Sequence, residues 1–123
     1  MLLVEDSPTN AEVMRLMLED TPFRLTWAPS GQAALVALAD APFDVILMDV
    51  EMPGMDGYQT TEALRQQEKE LGRPRTPVVA LTAHAFEEHR LRSFQAGCDD
   101  FQVKPIPKTR LLNTLETWIA LRP

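Results

Sequence analysis

The segment Val45-Ile46-Leu47-Met48-Asp49 places four apolar residues directly before one carboxylate. A short, continuous apolar run between polar residues is typical of a strand that is buried on both faces. Such a strand ends where its apolar residues end, so we expect Asp49 at its carboxyl end. In open parallel sheets, the carboxyl ends of the central strands form the ligand crevice. Residues 50–57 contain the turn dipeptides Pro53-Gly54 and Asp56-Gly57 and therefore predict an exposed loop.

Apolar runs and helical stripes alternate along the rest of the chain. Strands are predicted at residues 1–4, 25–28, 43–48, 77–81 and 101–103. Helices are predicted at about residues 8–20, 33–40, 58–69, 86–96 and 111–119. Gly97 is the expected C-terminal cap of the fourth helix. This alternation predicts an α/β fold: a parallel sheet with right-handed crossovers and helices on both faces, in which strands 1, 3 and 4 are the most buried.

Length and charge predict a single domain that does not bind nucleic acid by itself. A chain of 123 residues suits one domain, and at this size no disulfide is needed. The formal net charge of −6 argues against binding to a phosphate backbone. Cys98 is the only cysteine, which fits a cytoplasmic location. No apolar run is long enough to cross a membrane, so no direct membrane contact is expected. We expect residues 1–123 to be one domain of a longer protein.

Side chains that follow the predicted strands should meet at one edge of the sheet. They are Glu5 and Asp6 after strand 1, Asp49 after strand 3, Thr82 after strand 4 and Lys104 after strand 5. Three neighbouring carboxylates repel one another, and Mg²⁺ relieves this because it prefers oxygen ligands and shares its shell with phosphate. An ammonium and a hydroxyl beside it suit the other oxygens of a phosphoryl group. Because a carboxylate can itself be the nucleophile, this set predicts Mg²⁺-assisted phosphoryl transfer onto Asp49.

Four motifs, in this order, resemble the receiver domain of two-component signalling proteins over nearly the whole chain. They are LVEDS at residues 3–7, MDVEMPGMDG at 48–57, ALTA at 80–83 and DDFQVKP at 99–105. The segments LTAHA at 81–85 and KPI at 104–106 are most similar to receivers fused to hybrid sensor histidine kinases. The resemblance implies a flavodoxin-like (βα)5 fold, which is a doubly wound, five-stranded parallel sheet with strand order 2-1-3-4-5.

The resemblance also implies the chemistry of this edge. Asp49 would accept the phosphoryl group from a phosphohistidine. Asp6 and Asp49 would ligate Mg²⁺ directly, together with the main-chain carbonyl of Glu51. Glu5 stands where an aspartate is more usual, and it would act largely through a metal-bound water. Lys104 would pair with Asp49 and with the phosphoryl oxygens.

A conformational switch is implied in the same way. Thr82 would turn inward to hydrogen-bond the phosphoryl group, and Phe101 would follow, which alters the surface of helix 4, strand 5 and helix 5. Phe101 lacks the hydroxyl of the tyrosine that many relatives carry, so no such hydrogen bond can hold its inward state. Glu51 and His84 occupy positions that would tune the chemistry of the phosphoryl group. His84 would do so through the access of water to that group. The Lys104-Pro105 bond would be cis.

Several neighbouring residues have structural interpretations. Asp99-Asp100 is interpreted as a turn with a solvated acid, and Cys98 as a structural residue. His84 and His89 have no cysteine or third histidine nearby, so we expect both to be exposed to solvent and not to bind a metal. Gln102 is unusual inside so short a strand, and the sequence assigns it no role.

The expected partner is a histidine kinase or a phosphotransfer domain that carries phosphohistidine, and a weak homodimer is left open. The domain would phosphorylate and dephosphorylate itself, and its parent would be a hybrid histidine kinase. One alternative is a free-standing Mg²⁺-dependent phosphohydrolase with an aspartyl-phosphate intermediate. Glu51 lies two residues after Asp49, where such an enzyme needs a general acid, but the chain offers no cap domain to bind a substrate. The other alternative is a degenerate receiver that only docks partners.

Overall fold

Five strands and five helices alternate in the computed structural model, which describes residues 1–120. The strands are β1 (Leu2–Val4), β2 (Thr26–Ala28), β3 (Ile46–Asp49), β4 (Val78–Thr82) and β5 (Asp100–Val103). The helices are α1 (Pro8–Leu18), α2 (Gly31–Asp40), α3 (Gly57–Leu71), α4 (Glu87–Ala96) and α5 (Lys108–Ala120). None of these helices is both long enough and apolar enough to cross a membrane. Every predicted element is present, in the predicted order.

All five strands run parallel in one sheet, in the order β2-β1-β3-β4-β5. The central strand is β3, in which Leu47 pairs with Leu3 of β1 on one side and with Val79 of β4 on the other. Because the strands are parallel, their carboxyl ends meet at a single edge of the sheet. This order confirms the flavodoxin-like, doubly wound fold that the resemblance implied.

Two apolar layers cover the two faces of the sheet, since successive side chains of a strand point to opposite faces. Met48 belongs to the layer that contains Leu64 of α3. Leu47 belongs to the opposite layer, with Met14 of α1 and Leu115 of α5. As predicted, β1, β3 and β4 are buried along their whole length, whereas β2 and β5 at the two sides of the sheet are partly exposed.

Side-chain caps and a glycine set several helix ends. The hydroxyl of Ser7 accepts a hydrogen bond from the N–H of Asn10 at 3.3 Å, where α1 begins. The hydroxyl of Ser30 accepts one from the N–H of Ala33 at 3.1 Å, where α2 begins. These bonds satisfy N–H groups that have no partner within the helix. Gly97 ends α4 with a φ of 109°, which confirms its predicted role as the C-terminal cap.

The clearest boundary difference is at β3, which was predicted to begin at residue 43 and begins at Ile46. Leu2 is the first residue of β1 and pairs with Ile46, so the residues before Ile46 have no partner in β1. Val45 is nevertheless buried, and its carbonyl accepts a hydrogen bond from the N–H of Leu2 at 3.0 Å. The apolar run therefore marks burial correctly but overstates the length of the paired strand.

Candidate functional site

Three carboxylates meet at the carboxyl edge of the sheet. Asp49 is the last residue of β3, and Glu5 and Asp6 directly follow β1. One carboxylate oxygen of each residue lies within 4.8 Å of those of the other two. Glu5 and Asp49 are buried and Asp6 is exposed, so the cluster opens to solvent through Asp6. Within residues 1–120, no other group of three or more His, Cys, Asp or Glu side chains is close enough to hold a metal ion.

Lys104 neutralises part of the charge of this cluster. Its Nζ donates a hydrogen bond to Oδ1 of Asp49 at 2.6 Å. Burial lowers the pKa of Lys104, but the hydrogen bond and the charge of Asp49 outweigh burial, so the pKa of Lys104 is raised overall. The backbone N–H of Lys104 donates to the carbonyl of Thr82 at 2.7 Å, which holds Lys104 next to the end of β4. The bond between Lys104 and Pro105 is cis, as the resemblance implied.

Glu5 is fixed by two neighbours. The N–H of Ser7 donates to Oε2 of Glu5 at 3.3 Å, and the indole N–H of Trp27 donates to its carbonyl at 2.7 Å. Burial, a hydrogen bond with the carboxyl group of Asp49 and the charge of Asp49 raise the pKa of Glu5 to about 7, against smaller opposing effects of Ser7 and Lys104. Burial and the neighbouring carboxylate of Asp49 thus favour the protonated form of Glu5 below about pH 7, and a bound cation would favour the ionised form.

This donor set fits a hard divalent cation. All three side chains of the cluster offer oxygen, which is the ligand that Mg²⁺ prefers. The exposure of Asp6 leaves access for the water molecules that Mg²⁺ retains. The cluster contains no histidine or cysteine, so it favours Mg²⁺ over softer transition metals.

Glu51 joins the loop after β3 to the end of β4. Its Oε1 accepts hydrogen bonds from the hydroxyl of Thr82 and from the N–H of Ala83, both at 2.7 Å. Nε2 of His84 lies 3.8 Å from the same oxygen, and the N–H of His84 donates to Oγ1 of Thr82 at 3.1 Å. Burial raises the pKa of Glu51, but the two hydrogen bonds and the charge of Lys104 outweigh burial, so the pKa is lowered overall. The structure therefore brings Glu51, Thr82 and His84 together.

The loop that follows Asp49 is closed by the start of α3. Asp56 and Gln59 form a reciprocal cap, in which each backbone N–H donates to the other residue's side-chain oxygen, at 3.0 Å and 2.8 Å. The N–H of Gly57 donates to the carbonyl of Val50 at 3.1 Å. A Cβ atom on Gly57 would lie 2.4 Å from the carbonyl oxygen of Asp49. Only glycine permits this approach, which fixes the backbone next to Asp49.

Phe101 lies in β5 opposite Ala80. Its side chain is partly buried and packs against the apolar layer that contains Met48. Its backbone N–H donates to Oδ1 of Asp100 at 2.7 Å, and Oδ2 of Asp100 accepts from the indole N–H of Trp118 at 2.8 Å. Phe101 thus has the core contacts of a packed residue and retains an exposed part. Its inward movement stays a prediction.

The side chains of Asp99 and Asp100 are bonded to protein groups, so the prediction of a turn with a solvated acid is wrong. Asp99 accepts hydrogen bonds from Arg65 at 2.8 Å, from Arg75 at 2.9 Å and from the N–H of Val78 at 2.9 Å. Asp100 is the first residue of β5. The loop after α4 returns to the edge where β4 and β5 begin. There, α3 supplies Arg65 and the loop before β4 supplies Arg75. This network lies at the opposite edge of the sheet from the carboxylate cluster.

Arg65 is the central residue of that network, although no motif or periodic pattern in the sequence points to it. Its guanidinium donates to the carbonyls of Gly97 and Thr76 and to the carboxylate of Glu68, with the shortest distance to each being 2.8 Å. Its side chain is only 13% exposed. Arg65 stands in a polar stretch of α3, where no local pattern separates a buried arginine from a solvated one. Cys98 is also buried here, as its structural interpretation required.

The two histidines lie against each other beside α4. His84 is exposed, as predicted, but His89 is only partly exposed. The two rings stack with their centroids 5.0 Å apart. The ring centroids of Phe86 and His89 are 6.1 Å apart, and Phe86 is itself exposed. Neither histidine belongs to a metal-binding group within the described residues.

A groove of about 350 Å³ adjoins the carboxylate cluster. It runs between α1 and the segment that joins β5 to α5, and its walls are mainly apolar, with Val13 and Met17 on one side and Pro105 on the other. Glu5 and Lys104 also line it. The groove therefore connects an apolar surface of α1 to the charged edge of the sheet.

The fold and this edge together are those of a known class of signalling domain. Residues 1–116 match the family model described as the response regulator receiver domain. The chain belongs to this family: it is a receiver domain, the phosphoacceptor module of two-component phosphorelays.

Relatives and solved structures agree with this assignment. The sensor histidine kinase GacS of Pseudomonas protegens is 42% identical over 120 residues, which cover 98% of this chain and 13% of that kinase. A receiver domain of a sensor histidine kinase from Pseudomonas aeruginosa, solved with a magnesium ion coordinated in the active-site cleft, is 38% identical. Its TM-score is 0.85, and the match covers 97% of this chain and 95% of that one.

A third match is to a co-crystal structure of the histidine phosphotransfer protein Ypd1 with the receiver domain of Ssk1, from Saccharomyces cerevisiae. The identity is 24%, the TM-score is 0.91, and the match covers 98% of this chain and 88% of that one, which shows the fold alone. Of the relatives above, GacS is much longer than this chain, which spans only 13% of its length.

Proposed function

We propose that this domain is a Mg²⁺-dependent switch that takes a phosphoryl group from phosphohistidine onto Asp49. One observation carries the proposal: Asp49 is buried at the end of β3, with Nζ of Lys104 at 2.6 Å and the carboxylates of Glu5 and Asp6 beside it. One lysine cannot balance three acids, so the arrangement calls for a further cation. Positioning and charge neutralisation are what phosphoryl transfer mainly requires.

The proposed magnesium ligands are the side chains of Asp6 and Asp49 and the main-chain carbonyl of Glu51, while Glu5 acts through a metal-bound water. The donor set of the cluster supports this assignment, and so does the magnesium ion in the active-site cleft of the Pseudomonas aeruginosa receiver. When bound, Mg²⁺ would neutralise charge on the phosphoryl oxygens. Ionised Glu5 would then accept a hydrogen bond from a metal-bound water, and the nearby positive charge would favour the loss of its proton.

In the transfer step, an Oδ atom of Asp49 attacks the phosphorus atom while the phosphorus–nitrogen bond to the donor imidazole breaks. The electron pair of that bond goes to the ring nitrogen, and the ring leaves as neutral imidazole because its other nitrogen carries a proton. Lys104 stays beside Asp49 and neutralises charge on the transferring oxygens. The product is an acyl phosphate on Asp49.

The new group adds roughly two negative charges to this edge. We propose that the hydroxyl of Thr82 then turns to a phosphoryl oxygen and that Phe101 moves inward behind it. The surface formed by α4, β5 and α5 changes as a result. Such a local charge biases a two-state element and requires no large motion of the domain.

The proposed donor is a histidine kinase or a phosphotransfer domain that carries phosphohistidine. Its histidine has to reach Asp49, so the donor has to dock next to the carboxylate cluster. The groove beside α1 meets this requirement, because it is apolar, adjoins Glu5 and Lys104, and is bordered by Val13, which is 48% exposed. We further propose that the parent is a hybrid sensor kinase and that this domain lies in the cytoplasm, where ATP supplies phosphoryl groups. The weak homodimer stays a prediction.

Intact mass after incubation with acetyl phosphate tests the proposal. We expect a single phosphoryl adduct on the wild-type domain in Mg²⁺, and no adduct when Mg²⁺ is chelated or when Asp49 is replaced, as in Asp49→Ala. Steady turnover of small phosphate esters would instead favour the phosphohydrolase, for which Glu51 is the available general acid. A folded domain that binds no Mg²⁺ and forms no adduct would favour a receiver that only docks partners.

A further inference from the structure

The side chain of Glu51 has a role that rests on the proposed function of Asp49 and Thr82. We propose that it is an internal competitor of the phosphoryl group. In the unphosphorylated domain its carboxylate holds the two hydrogen-bond donors at the end of β4, the hydroxyl of Thr82 and the N–H of Ala83. We call these three groups the Glu51 latch. Phosphorylation has to break both hydrogen bonds to Glu51 before Thr82 can turn to the phosphoryl group.

Hydrogen-bond stoichiometry makes this competition exclusive. A threonine hydroxyl carries one hydrogen, and Thr82 gives it to Oε1 of Glu51 at 2.7 Å. The oxygen of the same hydroxyl accepts the N–H of His84 at 3.1 Å, so the hydroxyl is engaged on both sides. The single N–H of Ala83 also points to Oε1 of Glu51, at 2.7 Å. Neither donor can bond fully to a phosphoryl oxygen until it leaves Glu51.

Charge strengthens the competition. The carboxylate of Glu51 and a phosphoryl group on Asp49 would be two anions drawn to the same donors, and Lys104 attracts both. Two such anions repel one another. The side chain of Glu51 is 34% exposed, so water can solvate the carboxylate once it is released. The phosphoryl group therefore displaces Glu51 outward as it takes Thr82 and Ala83.

The latch makes Glu51 a positioning residue, distinct from the metal-ligand role of its main-chain carbonyl. Replacing its side chain keeps that carbonyl and removes only the competitor. The unphosphorylated state then loses a stabilising contact that the phosphorylated state does not use. Affinity for a phosphoryl mimic should therefore rise, because a competing interaction in the free state has been removed.

A double-mutant cycle with fluoroberyllate, a mimic of the phosphoryl group, tests the latch in Mg²⁺-saturated domain. Glu51→Ala should lower the dissociation constant by about tenfold, within the usual range of coupling between two sites. Glu88→Ala is the matched control, because it removes the same charge from an exposed site on α4, and its affinity should equal that of the wild type. In the Thr82→Ala background, the gain from Glu51→Ala should be much smaller, because one contested donor is gone.

The outcomes separate the latch from the proposed function. Equal affinities of the wild type and Glu51→Ala would overturn the latch alone. An equal gain in the wild-type and Thr82→Ala backgrounds would also overturn it, because simple charge repulsion gives that result. Failure of every folded variant to bind fluoroberyllate in Mg²⁺ would contradict the proposed function and also the latch, which depends on it.

The closed latch also has a signature that needs no ligand. The amide proton of Ala83 is bonded to a carboxylate in the unphosphorylated domain, so its NMR resonance should move upfield in Glu51→Ala. The resonance should stay in place in Glu88→Ala. An unchanged Ala83 resonance in Glu51→Ala would contradict the closed latch, whatever the affinities show.

Discussion

Burial and the nearby carboxylate of Asp49 raise the pKa of Glu5 to about 7 from an ordinary value of 4.5, so the protonated form is favoured in the folded state. This contribution to stability is fully present below about pH 4.5 and is lost as the pH rises through about 7. Without metal, we expect the free energy of unfolding to fall by on the order of 2 kcal/mol across this window. Urea unfolding in EDTA at several pH values measures the fall.

The variant Glu5→Gln isolates this effect from those of all other groups. We expect its stability curve to lack the fall, so the difference between the two proteins reports Glu5 alone. Saturating Mg²⁺ should also remove the fall from the wild type, since the positive charge of the nearby cation stabilises ionised Glu5. Parallel curves for the wild type and Glu5→Gln in EDTA would contradict this account of the cluster.

At the scale of single residues, the sequence was most informative about side chains attached to strand ends. Chain order places Glu5, Asp49 and Lys104 at the same edge, because parallel strands share their direction. The hydrogen bond that Thr82 donates to Glu51 could not be predicted in this way. It depends on the direction of a side chain in an irregular loop, which no periodic pattern specifies.

At the scale of elements, Arg65 joins α3 to the loops before β4 and β5. Its guanidinium is mostly buried and bonds the carboxylates of Glu68 and Asp99, which are mostly buried as well. Removing one partner of such a group leaves the remaining charges uncompensated. We expect Arg65→Met, which keeps the aliphatic length, to lower the free energy of unfolding by about 2–4 kcal/mol in urea melts.

Arg15 provides the matched control. It pairs with Glu12 on the solvent face of α1, and both side chains are about half exposed, at 51% and 53%. Exposed pairs contribute little to stability, so Arg15→Met should leave the urea midpoint almost unchanged. Similar losses in Arg65→Met and Arg15→Met would show that the Arg65 network is not the structural junction described here.

The elements themselves were predicted well where apolar spacing dominates and poorly where partners decide. The stripe in α5 and the run in β3 both mark buried surface correctly. The start of β3 was misplaced because strand length depends on the length of β1 beside it. Asp99 was misread as solvated because its partners come from α3 and from the loop before β4, which are distant in sequence.

At the scale of the whole molecule, alternation of strands and helices was enough to predict a parallel sheet covered on both faces. Alternation does not specify which strands are neighbours, because periodicity reports burial and not pairing. The order 2-1-3-4-5 came instead from the resemblance to receiver domains, and the observed sheet confirms it. The site followed from the fold, since this order brings the ends of β1, β3 and β4 together around Asp49.

The central claim is that a phosphoryl group moves from nitrogen to an oxygen of Asp49. Phosphoramidate tests it most directly, because it offers the same phosphorus–nitrogen bond as phosphohistidine and needs no partner protein. In Mg²⁺, intact mass should show one phosphoryl adduct, removable by hydroxylamine as an acyl phosphate, on the wild type and on the exposed-acid control Asp40→Ala. Asp49→Ala should show none. An equal adduct on Asp49→Ala, or no adduct on folded wild-type domain in Mg²⁺, would contradict the claim.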